Sequence, residues 1–194
     1  MENSTFTPEQ SLLLISKTIE QAKNRFKESG HIFIYWGTLT VFVFGSQMIL
    51  SLLELYKYSI WPVYLFPLST FYMIYFWVKE KKKNLPKTYI GNMLGKIGWV
   101  FGLNLMFMGF FCHDKLGDAM APVFILFFAL FIVVCGFSIR FKPLIIGGIL
   151  VNLIGLGSFF IDRNYHGFSM ILMGIVGLII PGILLNIANK KENV

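Results

Sequence analysis

The chain has 194 residues, of which 56% are hydrophobic and only 14% charged, and it carries 21 phenylalanines. Soluble domains run about 45–50% apolar and about 25% charged. With a mean hydropathy of +0.67, this composition excludes an ordinary soluble domain and predicts an integral membrane protein. The net charge of +7 does not point to a nucleic-acid partner, because the excess lies in loops between apolar runs, where the positive-inside rule places it.

Thr7-Pro8-Glu9-Gln10 reads as a helix start, with Thr7 able to cap, Pro8 suited to the first helical position and Gln10 completing a capping-box spacing. Leu12, Ile15, Ile19, Ala22 and Phe26 then recur at gaps of three and four, on one face. The pattern predicts an amphipathic cytoplasmic helix over 8–29, stopped at Gly30. Three surfaces can take its apolar stripe: the inner leaflet, the protein's own inner loops, or a protein partner. Lys17, Lys23, Arg25 and Lys27 favour anionic lipid and repel Lys81, Lys82 and Lys83. The expectation is therefore a helix lying along the cytoplasmic leaflet. An apolar h-region with a small-residue cleavage site is not visible here, so no signal peptide is expected.

Six spans follow, at about 32–53, 60–78, 91–112, 119–139, 144–161 and 168–187. Tyr35 and Trp36 enter span one, whose polar interior residues are Ser46 and Gln47. Pro62 suits the first turn of span two, while Pro67 reads as internal and predicts a kink. Lys79, Lys81, Lys82, Lys83 and Lys87 then form a basic loop that cannot enter hydrocarbon. In span three, Lys96 can snorkel to the headgroups. Gly91, Gly95, Gly98, Gly102 and Gly109 make a small-residue stripe there, with Asn104 opposite, so span three is expected to pack on two sides and sit centrally. His113 to Asp118 form an outer turn before span four. Arg140-Phe141-Lys142-Pro143 is an inner turn, and Pro143 starts span five, where Gly148, Asn152 and Gly155 share a face. Asp162 to Gly167 form the last outer turn. Pro181-Gly182 should break the regularity of span six.

This topology puts 14 of the 17 lysines and arginines inside and leaves Lys57, Lys115 and Arg163 outside. The asymmetry places both termini in the cytoplasm. The expected fold class is thus all-α: a single polytopic membrane domain of six transmembrane helices behind a cytoplasmic amphipathic helix. Cys112 and Cys135 lie at opposite depths of neighbouring spans, so both are expected to be free thiols.

Several stretches resemble an uncharacterised family of small six-span membrane proteins common in Bacteroidota. They are Phe6-Thr7-Pro8-Glu9-Gln10-Ser11-Leu12, Tyr35-Trp36-Gly37, Lys87-Thr88-Tyr89, Phe141-Lys142-Pro143-Leu144-Ile145-Ile146-Gly147-Gly148 and Ile179-Ile180-Pro181-Gly182. The fourth is the most specific. Thr38 stands where that family usually has a second aromatic after Trp36-Gly37. The resemblance implies a protein of the bacterial inner membrane and implies no activity.

Two constellations carry possible chemistry. His113, Asp114, Asp118, Asp162 and His166 collect on the outer face, where imidazoles and carboxylates can hold zinc and activate water. Their spacings match no metal motif, and turn formation together with capping by Asp118 explains the carboxylates equally well. Asn104, Asn152 and Gln47, with the proline-bearing spans two and six, can line a solute path. Against that, no charged residue lies deep in a span, and a lone asparagine more often bonds a neighbouring helix. The sequence therefore favours a non-enzymatic accessory, sensing or regulatory membrane component, without a cofactor. Its expected partners are the lipid bilayer, anionic lipid at the cytoplasmic face and a possible protein partner for 8–29. A small-solute transporter and an outer-facing metal-dependent intramembrane hydrolase are the alternatives.

Overall fold

A computed structural model describes residues 12, 13, 16, 30–81 and 89–191. Of the amphipathic helix expected over 8–29 only Leu12, Leu13 and Ser16 are described, each of them helical; the rest of it and most of the basic loop around Lys83 lie outside the described residues. Among the described residues there is no strand. The long helices are α1 (Gly30–Leu52), α2 (Leu65–Lys81), α3 (Tyr89–Phe111), α4 (Met120–Ile139), α5 (Lys142–Gly157) and α6 (166–191). Among the described residues four helical segments are long and apolar enough to cross a membrane: Gly30–Leu52, Asp114–Ile139, Lys142–Phe160 and Arg163–Ala188. A shorter apolar stretch, Gly95–Phe111, lies in α3.

Local chemistry sets the helix ends. Gly30, expected as a helix stop, is itself helical and is the first described residue of α1. Regular α-helix in the second apolar run begins at Leu65, after a 3₁₀ turn over Trp61–Tyr64 that carries Pro62. Pro67 consequently falls in the first turn of α2, where its missing N–H is one the helix leaves unpaired anyway. No kink is needed there, contrary to the sequence expectation. α1 and α4 both end in six-to-one turns: Leu55 N–H donates to the Leu50 carbonyl and Phe141 N–H to the Gly136 carbonyl, at 2.9 and 3.0 Å. This geometry needs a left-handed residue, usually glycine. Here it is supplied by Glu54 and Arg140, at φ of 59° and 53°.

α6 is α-helical over His166–Met173, π-helical over Gly174–Ile179 and α-helical again over Ile180–Lys191. The irregularity expected at Pro181 takes this form. A proline ring collides with the carbonyl four residues back, here Gly177, and donates nothing to it. Widening the preceding turns makes room for that carbonyl.

The core is built by α1, α4, α5 and α6. Its buried residues include Ile125, Ala129 and Ile132 of α4, Leu144 and Val151 of α5, and Met170, Met173 and Leu178 of α6. Phe33, Trp36 and Phe44 of α1 pack against them. Glycines bring these backbones together, as small residues do in hydrocarbon, where no hydrophobic force drives helices to associate. A Cβ on Gly148 would lie 2.6 Å from Val133 Cγ2, and one on Gly155 would lie 2.8 Å from Leu126 Cδ2, so that face of α5 is pressed on α4. Gly147 meets the Val176 carbonyl of α6, while Gly182 meets the Gly30 carbonyl of α1.

α2 and α3 are peripheral. Phe44 of α1 and Phe66 of α2 approach at a centroid distance of 6.1 Å. α3 leans on α4 through rings: Phe101 stacks on Phe131 at 4.3 Å and meets Phe128 edge-on at 5.2 Å. The expectation that span three is central is overturned. Among the described residues, Cβ atoms on Gly98 and Gly109 would reach only phenylalanine ring tips at 3.8 Å, and one on Gly102 would meet nothing within 4 Å. These glycines of α3 therefore hold no backbone-to-backbone contact. Outward-facing side chains such as Leu52, Phe71, Phe110, Phe111 and Phe160 are largely exposed. Such an apolar exterior suits lipid and not water.

Candidate functional site

On the face expected to lie outside, Asp118 belongs to the 3₁₀ turn Gly117–Ala119 and makes no capping bond. It pairs instead with Arg163 across 45 residues, at 3.4 Å between Oδ1 and Nη1, with both side chains well exposed. The pair ties the α3–α4 turn to the α5–α6 turn. Asp162 precedes the 3₁₀ turn Arg163–Tyr165, is exposed and does not cap it through its side chain. Asp114 sits exposed in the short helix His113–Leu116. The His113 side chain is outside the described ones.

His166 points the other way. It is buried at the start of α6, with Nε2 3.1 Å from the Ser158 carbonyl. A carbonyl only accepts, so the ring carries its proton on Nε2. Ser158, also buried, donates its hydroxyl to the Ile154 carbonyl at 2.7 Å. His166 thus closes the end of α5 against α6. Among the described residues no group of three or more His, Cys, Asp or Glu gathers as a metal would require. Cys112 and Cys135 are both free, the first exposed and the second buried.

Several polar side chains of the apolar helices bond within their own helix. Thr40 donates to Trp36, Ser46 to Phe42, Thr70 to Phe66 and Ser138 to Val134, each to a carbonyl one turn back. Asn104 does the same: its Nδ2 donates to the Val100 carbonyl at 2.8 Å and its side chain is exposed. Its bond is intrahelical, not the interhelical one the sequence suggested. Asn152 is half-buried on α5, between Gly148 and Gly155 in sequence. Gln47 differs from these, because its Nε2 donates to the Ser59 carbonyl at 3.0 Å and so fastens the loop after α1. The sequence offered that residue as pore lining; nothing in its local pattern names a loop carbonyl as its partner.

An open groove is formed among the described residues. It lies between α3 and α4, is shallow with a volume of about 450 Å³, and is lined by Lys96, Ile97, Val100, Phe101, Asn104 and Phe127. The phenylalanine contacts create it, because rings wedged between two helices hold them further apart than glycine contacts do. It faces the surroundings, not the four-helix core.

Compared with known proteins, the chain matches no protein-family model, no curated protein and no solved structure. Among the described residues the fold is all-helical, with four helices long and apolar enough to cross a membrane and two more packed at their edge.

Proposed function

We propose that the protein is a six-span protein of the bacterial inner membrane with both termini cytoplasmic, acting as a non-enzymatic accessory, sensing or regulatory component. The observation that carries this reading is how five polar side chains of the apolar helices are used. Thr40, Ser46, Thr70, Asn104 and Ser138 direct their donors to carbonyls of their own helices. The core glycines, lacking side chains, serve helix contact. Chemistry on a substrate needs polar groups aimed at a shared space, and these are aimed at backbone. The charge asymmetry of the loops supports the six-span topology.

Transport is the second reading, favoured by the π-helical Gly174–Ile179 stretch before Pro181, since interrupted helices recur at transport sites. Reconstitution separates the two. The accessory reading expects proteoliposomes holding the pure protein to take up small solutes no faster than empty ones. It also expects the native protein to migrate, in mild detergent, in a complex well above its own 22.2 kDa. Saturable uptake by the isolated protein would contradict it.

A further inference from the structure

We infer that the groove between α3 and α4 is a binding site for one anionic glycerophospholipid of the cytoplasmic leaflet, with its headgroup on Lys96 and an acyl chain along Val100, Phe101 and Phe127. The inference rests on the proposed topology for which leaflet it names, and on the groove itself for the ligand. Phe101 packs against both Phe128 and Phe131 of α4, and Gly98 and Gly109 approach α4 through the same kind of ring contact. These pairings make the helices antiparallel, with Lys96 towards the α4 end that carries Arg140. Lys96 is the second residue of the apolar stretch Gly95–Phe111 of α3, at the end where that stretch begins. A charged amine at the edge of an apolar stretch reaches for the headgroup layer or draws an anion to itself.

The walls of the groove are what an acyl chain needs. Val100 is 61% and Phe127 42% exposed, on facing helices, and both are open to the surroundings. Asn104, two turns beyond Lys96 and with its amide engaged by Val100, closes the far end. Charge and shape agree: a cation stands at the end nearest the inner surface and hydrocarbon runs away from it. Basic pockets between helices on the cytoplasmic side take phosphate headgroups in this way. A zwitterionic lipid would fill the same walls without net attraction to Lys96.

The test uses the full chain in neutral detergent, offered equal phosphatidylglycerol and phosphatidylcholine with identical chains and read by native mass spectrometry. The expected result is one retained phosphatidylglycerol, favoured about fivefold, the factor corresponding to about 1 kcal/mol for one basic residue near anionic lipid. Lys96→Gln should bring the ratio near one, and Lys96→Arg should restore it. Lys57→Gln, in the opposite loop, should leave it unchanged. Val100→Trp should fill the groove and reduce retention of both lipids. Three results would each overturn the inference: a parental ratio near one, a ratio indifferent to Lys96→Gln, or a disulfide-linked dimer formed through Val100→Cys in membranes, which would put a second copy in the groove. A reporter after Lys83 that reads external, with the Lys96-dependent ratio intact, would sink the topology and leave the lipid site standing in the other leaflet.

Discussion

Gly37 and Gly174 meet backbone to backbone. A Cβ on Gly37 would lie 2.9 Å from the Gly174 carbonyl oxygen, and one on Gly174 would lie 3.1 Å from the Gly37 carbonyl oxygen. α1 therefore docks on α6 at the residue where the π-helical stretch begins. Neither helix can carry a side chain at the crossing without moving the other. The widened turn that accommodates Pro181 is also the turn that receives α1.

Gly37→Ala should destabilise the protein by about 1–3 kcal/mol, the range for forcing extra volume into a packed core. Gly102→Ala on α3 is the matched control. No described residue lies within 4 Å of its added Cβ, and alanine is the better helix former by about 1 kcal/mol. Thermal unfolding in detergent should show a lower midpoint for the first and an unchanged or higher one for the second. Equal loss in both would mean that α3 packs as tightly as α1.

Asn152→Leu should change stability by less than about 0.5 kcal/mol, because its side chain forms no interhelical hydrogen bond among the described residues that could be lost. Gly155→Leu should be far worse, since its Cβ would already crowd Leu126 and Ile125. Comparison of the two unfolding midpoints checks this. A large loss on Asn152→Leu would show a polar partner for Asn152 in the membrane.

His166→Phe should destabilise by about 1–3 kcal/mol, the range for stranding a buried polar group, here the Ser158 carbonyl. His166→Gln keeps a donor and should lose less. If phenylalanine is the better tolerated, His166 is not the tie between α5 and α6.

Asp118→Ala should shift stability by less than about 1 kcal/mol, as exposed ion pairs do, and the shift should fade with salt. Its pairing with Arg163 holds two turns together at the surface. A large, salt-insensitive loss would contradict that assignment.

The all-helical membrane character was legible because hydrocarbon leaves the backbone few ways to satisfy its donors and acceptors, so long apolar runs must be helices. Pro143 and Pro181 were legible too: one lies at the start of α5, the other just after the π turns of α6. Which helices form the core was not. The glycines of α3 are spaced for close packing, but a stripe does not say what faces it, and here it meets phenylalanine rings. Gly37 and Gly174 lie far apart in the chain and match only once α1 and α6 are placed side by side. The left-handed caps were hidden because Glu54 and Arg140 stand where glycine is the usual signal. Asn104 and Asn152 looked alike as lone asparagines, and only placement separates the exposed one from the half-buried one. The outer-face residues likewise differ in setting: His166 turns inward to a carbonyl, where a metal reading needed it facing Asp118 and Asp162.

The central claim is that α2 and α3 cross the membrane although their apolar parts are short. Reporter fusions after Lys83, Lys115 and Lys191 test it most directly. Six spans with cytoplasmic termini predict cytoplasmic, external and cytoplasmic readings in that order. If α2 and α3 lie on the outer surface instead, only four helices cross, and Lys83 becomes external while Lys115 and Lys191 keep their sides. The single reading at Lys83 therefore decides: cytoplasmic supports the account, and external contradicts it.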